Sequence, residues 1–275
     1  MALKNILVHV TDTDQAARRV DAALDLAMRH DAHLTGLGIE PSVDLPMYLA
    51  PEIPEEILRD IRDHHRASAA RANGRFEAAT KRAGWADRGS WLTERGDPVD
   101  LVALHARYAD LTVVGQASPP DKPNGEPSLA HDLVLRSGRP VLVVPYTGTQ
   151  RPIGERIVVA WNGSREAARA VGDAMPILER AATVDVLSIE PEGLGDEPGA
   201  DIALHLARHG IRATAKRSVA NAIDAGDVLL NFVADTGADL IVMGAYGHSR
   251  MREIVLGGVT RSVLDHLTVP ALLSH

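Results

Sequence analysis

Apolar residues in this chain collect in short unbroken runs. NILVHV (5–10), LTVV (111–114), PVLVV (140–144), RIVVAW (156–161), LIVM (240–243) and PALL (270–273) are dominated by Ile, Val and Leu. Strands that face solvent on one side alternate apolar with polar residues, whereas continuous runs belong to strands covered on both faces, as in a parallel sheet. The stretches between the runs carry helical patterns. Strand and helix therefore alternate, the signature of right-handed βαβ crossovers.

The pattern occurs twice. Ala16, Ala17, Arg18 and Val20 correspond at one constant offset to Ala167, Ala168, Arg169 and Val171, and the runs 5–10 and 156–161 precede them at that same offset. HLTGLGIEP (33–41) parallels VDVLSIEP (184–191), both ending in Ile-Glu-Pro. Gly96-Asp97 and Gly226-Asp227 each open a helical stretch that leads to Ala-Asp-Leu and another apolar run. The repeat predicts an α/β fold of two tandem doubly wound domains, 1–148 and 152–275, each a five-stranded parallel sheet with helices on both faces. A Thr, Gly and Pro-rich stretch at 146–154 reads as the linker. The first half is longer by an insertion at about 41–72, whose Pro, Met47 and Tyr48 suggest a loop folded over something, followed by a charged helix.

Composition narrows the function. The 275 residues contain no cysteine, which excludes disulfides, thiolate nucleophiles and cysteine metal sites. The net charge of −8 argues against nucleic acid or an anionic membrane as partner. No run is long enough to span a bilayer, and MALKNILVHV fits a first strand better than a signal peptide, so the cytoplasm is the expected compartment.

In open α/β sheets a ligand lies at the carboxyl ends of the strands, where strand order reverses. In the second half those ends supply Trp161, Asn162, Gly163 and Ser164, then Ile189, then Met243, Gly244 and Gly247. Gly257, Gly258, Val259 and Thr260 open the following helix, and His248 and Arg250 add positive charge nearby. Glycines at a strand end let the backbone approach a bulky anion, and a helix start aims amides at it, so the set reads as a phosphate cradle. Thr260 offers a hydroxyl to a phosphate oxygen, and Ser262 is a weaker candidate.

Gly-x2-Gly-x9-Gly after the strand Ala-Asp-Leu-Ile-Val-Met, with a Val-Thr helix start and a last Val-Pro strand, resembles the universal stress protein family. The resemblance runs through essentially the whole chain as two copies. It implies the adenine nucleotide alpha hydrolase-like fold, binding of ATP or AMP, pairing of the two halves through their last strands, and a role in stress response or signalling. By the same resemblance Asn162 takes the place of an aspartate that contacts the nucleoside, and Ile189 a position that packs on adenine. A metal is expected only as magnesium accompanying the nucleotide. Whether two chains pair further into a homodimer is open at this point. Two departures stand out: Gly258 occupies a position usually held by Ser or Thr, and Asn162 is an amide where a carboxylate is common.

The first half departs further. Gly115 is followed by Gln116, Ala117 and Ser118, and then by the proline-rich PPDKPNGEPS, so its phosphate site is expected to be lost, leaving it as a pairing partner or as the holder of another ligand. Other features have plain explanations. His64 and His65 lie in a charged helical run that reads as a solvated face, and with His30 and His33 they lack the spacing of a metal set. Asp12 and Asp14 read as a helix cap. Trp161 fits a pocket wall or a packing residue equally. No nucleophile with a base and no Gly-x4-Gly-Lys-Ser/Thr run is present, so the expected activity is binding, with at most slow incidental ATP hydrolysis. The alternative is a nucleotide-free interaction module of the same fold; an adenylate-using enzyme of the related superfamily is less favoured because its additional motif is not apparent.

Overall fold

The computed structural model describes residues 2–42, 54–117, 129–149, 152–189, 198–220, 223–247 and 258–275. The first half runs β1 (Asn5–His9), α1 (Asp14–His30), β2 (His33–Pro41), α2 (Glu55–Arg82), a 3-10 turn (Ala86–Arg88), β3 (Gly89–Gly96), α3 (Pro98–Ala106), β4 (Leu111–Gly115), α4 (Leu129–Arg136) and β5 (Val141–Val144). The second half repeats it as β6 (Arg156–Ala160), α5 (Arg165–Leu178), β7 (Thr183–Ile189), α6 (Ala200–Arg208), β8 (Ala213–Ser218), α7 (Ala225–Thr236), β9 (Leu240–Gly244), α8 (Val259–Asp265) and β10 (Ala271–Ser274).

The ten strands among the described residues lie in one sheet, in the order β3-β2-β1-β4-β5-β10-β9-β6-β7-β8. Every neighbouring pair is parallel except β5 and β10, which meet antiparallel with Leu272 opposite Leu142. The two expected five-stranded sheets are thus joined edge to edge. Because the seam is antiparallel, the strands of the two halves point in opposite directions, and their carboxyl ends lie at opposite edges of the sheet.

Apolar runs work as the sequence predicts, because the strands they form, β1, β4, β5, β6, β9 and β10, are covered on both faces, whereas the edge strands β3 and β8 bury no residue. Ile6 and Val8 pack into a core with α1, α2, α5 and α6, while Leu7 turns to a second core with α3, α4, α7 and α8. Both cores run through both halves. The repeated Ala-Asp-Leu has a structural cause as well. Asp239 accepts the backbone N–H groups of Gly154 (2.6 Å), Glu155 (3.0 Å) and Arg156 (2.8 Å) at the start of β6, and Asp110 accepts those of Lys4 (2.8 Å) and Asn5 (2.9 Å) before β1. Each aspartate ties the start of its half's first strand to the start of its fourth.

Several local expectations are corrected. The cap of α7 is Asp224, which accepts the Gly226 N–H at 2.8 Å, so Gly226 and Asp227 lie inside the first turn of α7 and do not open it. In the first half Asp97 caps α3 through the Asp100 N–H. Asp12 and Asp14 are not caps: Thr13 stands at the N-cap of α1 without a side-chain bond, and the two carboxylates pair with Arg71 and Arg75 of α2 instead. The charged helix of the insertion is long, and buries only Ala69, Ala72, Phe76, Ala79 and Thr80, all in its second half. Met47 and Tyr48 lie outside the described residues. Among the described residues no helix is long and apolar enough to cross a membrane.

Candidate functional site

Strand order reverses between β6 and β9 in the second half and between β1 and β4 in the first. The crevice at the carboxyl ends of β6 and β9 gathers the loop 161–164, Ile189 at the end of β7, the stretch 243–247, and the start of α8. Local chemistry shapes the loop. Asn162 Oδ1 accepts the Ser164 N–H at 3.1 Å, Gly163 turns at φ 72°, and Ser164 Oγ caps α5 by accepting the Ala167 N–H at 3.1 Å. Asn162 is exposed, whereas Trp161 is half-buried and packs on the core below α5, so it serves as a packing residue at this edge.

The glycines meet protein. A side chain on Gly244 would place its Cβ 2.4 Å from the Ala167 nitrogen and 2.5 Å from the Glu166 carbonyl carbon, so the first turn of α5 packs against bare backbone there. At Gly247 a Cβ would lie 2.6 Å from Glu166 Oε2. The glycines expected to make room for phosphate therefore make room first for α5 and for a carboxylate. Glu166 itself is buried, at 3% exposure. Burial raises its pKa, but hydrogen bonds from Arg165 and from its own backbone N–H, with the nearby charges of Arg165 and His275, outweigh that and hold the carboxyl below the ordinary value.

Further along, Tyr246 adopts φ 57° between the two glycines, and its hydroxyl lies 2.6 Å from His131 Nδ1 on α4 of the other half. Its N–H reaches Thr260 Oγ1 at 3.4 Å, and Thr260 is buried, so this hydroxyl faces the 246 turn. Gly258 stands at the N-cap of α8 with φ 25°, and its carbonyl accepts the Arg261 and Ser262 N–H groups. Ser262 lies against Gly226 of α7 and is a helix-packing residue. Met243 is buried in the second core, with Ile189 and Val259 half-buried beside it. His248, Arg250 and Gly257 lie outside the described residues.

The matching edge of the first half is built differently. Gly115 ends β4 beside the guanidinium of Arg19, whose carbon would lie 3.1 Å from a Cβ at 115. Arg19 and His9, at the end of β1, are each 7% exposed. Burial lowers the His9 pKa to about 3, with the Arg19 charge assisting, and burial lowers Arg19 to about 10. Gln116 turns away to the seam, where its amide donates to the Leu264 and Asp265 carbonyls at 3.0 Å and its Oε1 accepts the Tyr146 N–H at 3.3 Å.

Glu166, Tyr246, Arg19 and His9 escaped the sequence reading. Arg19 shares a helical stripe with Ala16, Val20, Ala23 and Ala27, all buried, and that spacing was the available signal. Three further histidines have local settings: His33 Nε2 lies 2.9 Å from Ser90 Oγ, His65 Nδ1 lies 3.1 Å from the Pro41 carbonyl, and burial lowers the His30 pKa to about 4. Among the described residues no group of three His, Asp or Glu is placed to hold a metal.

The universal stress protein family model matches residues 154–275. The universal stress protein Slr1230 of Synechocystis sp. is 40% identical over 48 residues, which span 18% of this chain and 17% of that protein's length. Among solved structures, a universal stress protein from Archaeoglobus fulgidus superposes with a TM-score of 0.74 at 15% identity, covering 98% of this chain and 95% of its own. A putative universal stress protein from Pseudomonas aeruginosa follows with a TM-score of 0.59 at 19% identity, covering 99% and 93%. At those identities the structures speak for the fold.

Proposed function

We propose, from the premise that residues 154–275 belong to the universal stress protein family, that the chain is a tandem protein of this kind, divided at 1–148 and 152–275, that binds ATP or AMP in its C-terminal half. The observation that carries the reading is the placement of the family match. It falls on the half that retains Gly244, Gly247, Gly257 and Gly258, and leaves out the half whose second glycine is replaced by Ser118. The nucleoside lies against Asn162 and Ile189 near Trp161, and the phosphates lie along 243–247 and 258–260, with Gly163 and Ser164 shaping the loop and His248 and Arg250 supplying charge. Magnesium enters only with the nucleotide. The role is binding in a cytoplasmic stress or signalling response, with ATP hydrolysis slow and incidental, and with a homodimer as a further assembly.

Glu166 qualifies the site. A buried carboxylate beside Gly247 repels any phosphate brought there, so it must swing outward on binding. Calorimetry on the full chain with ATP, ADP and AMP tests this. Glu166→Gln should tighten binding about tenfold, removing a repulsion of roughly 1.4 kcal/mol, and Gly247→Val should abolish it, since only the flexible end of Glu166 stands in the way of folding. No heat with any nucleotide, together with none released on heating the purified protein, would replace this reading with the nucleotide-free interaction module.

A further inference from the structure

We propose that the first half carries its own ligand site, in which Arg19, with His9 and Thr11 beside it, holds a small oxyanion of the phosphate or carboxylate type at the carboxyl ends of β1 and β4. Among the described residues Arg19 carries a charge without a partner. It is buried, and among those residues its Nε has no hydrogen-bond partner and its remaining polar contact is from Nη2 to Thr11 Oγ1 at 3.4 Å. Carboxylates close to it in sequence are engaged elsewhere: Asp12 by Arg71 at 2.5 Å and Arg75 at 3.3 Å, and Asp14 by Arg75 at 3.4 Å. A buried cation left in that state is strongly destabilising unless an anion compensates it.

A second orphan stands at the same edge. His9 Nδ1 is buried and without a hydrogen-bond partner, and its ring is neutral near pH 7 because burial and the Arg19 charge oppose protonation. A neutral imidazole carries one N–H, so it adds a donor without adding charge. Gly115 leaves the guanidinium room at the strand end, since any side chain there would press on it. The matching positions of the second half are Ala160 and Ala170, so neither group belongs to the common frame of the two halves. A guanidinium fork, an imidazole N–H and a hydroxyl are the donors a single oxyanion requires. Ser118 stands in the sequence where the second glycine of a phosphate cradle would fall, so the ligand is a compact oxyanion and not an adenine nucleotide.

Thermal unfolding of the full chain decides the matter, with potassium phosphate, acetate and chloride compared at equal ionic strength. Phosphate or acetate at about ten times its dissociation constant should raise the melting temperature by roughly 2–4 °C over chloride, and whichever acts names the class. The rise should persist in Gly247→Val, which alters only the second half. It should vanish in Arg19→Met, and it should shrink in Gly115→Ala, where the fold survives but the guanidinium is displaced. In chloride alone Arg19→Met should melt no lower than the parent. An equal rise in Arg19→Met, no rise in the parent with either anion, or a large loss of stability in Arg19→Met in chloride would each overturn the proposal.

Discussion

At the ends of β1 and β4 the first half buries a guanidinium and an imidazole, Arg19 and His9; at the ends of β6 and β9 the second half buries a carboxylate, Glu166. The frames are otherwise alike, with the same strand order, the same helix after the first strand and a glycine closing the fourth. A duplicated backbone therefore fixes where a ligand can lie, and a few positions inside the first helix set which charge it meets there. The comparison also separates two uses of glycine. Gly244 faces backbone atoms of α5 that cannot yield, whereas Gly115 faces the movable end of Arg19.

That contrast gives the largest expected effect. Gly244→Val should lower stability by about 3 kcal/mol or more, because overpacking against rigid backbone has no relief, while Gly115→Val should lose only about 1 kcal/mol. Urea denaturation midpoints would show the gap, and equal losses would mean that the two strand ends are built alike. Next come the aspartates that brace the first strands. Asp239→Ala strands the N–H groups of three residues and should lose about 2–3 kcal/mol; Asp110→Ala strands two exposed ones and should lose about 1 kcal/mol. Matching losses in the same denaturation assay would contradict the unequal bracing.

The third effect is a pH dependence carried by His9 in the first half. His9 has a folded pKa of about 3 against 6.5 for the free side chain. Above pH 6.5 it is neutral in both states and contributes no pH dependence. As pH falls below that value the unfolded chain gains a proton that the folded one refuses, and stability declines until about pH 3. At pH 5.5 the loss is about 1.4 kcal/mol. His9→Leu should remove that part of the acid sensitivity, read as the difference between parent and variant across pH 7.5 to 5; parallel curves would show that His9 titrates normally.

The six central strands and the duplication were legible because burial on both faces leaves a mark in every residue of a strand, whereas the exposed edge strands β3 and β8 carry no such mark. The parallel sheet, the helices between strands and the repeated Ala-Asp-Leu could all be read from residue type and order. The charges inside the crevices could not be read so directly. Arg19 follows Arg18 and Glu166 follows Arg165, and in each pair one residue faces out while the other turns in, a choice set by the rotational phase of a helix against its strand. Composition is blind to that phase. The start of α7 lies just before Gly226-Asp227 for a similar reason, since Asp224 and Asp227 both suit a helix start and only backbone geometry selects between them.

The antiparallel seam between β5 and β10 bears on how the chain is made. VLVV of β5 is buried on every residue, yet its outer edge is satisfied only by β10, which is synthesised after all the other strands of the second half. Until then the nascent first half exposes an apolar strand edge, a template for pairing with another chain. Once the seam closes, the outer strands of the sheet among the described residues are β3 and β8, and β8 carries Lys216 and Arg217, side chains that discourage edge-to-edge aggregation. Joining the halves in the middle confines that hazard to the interval of translation.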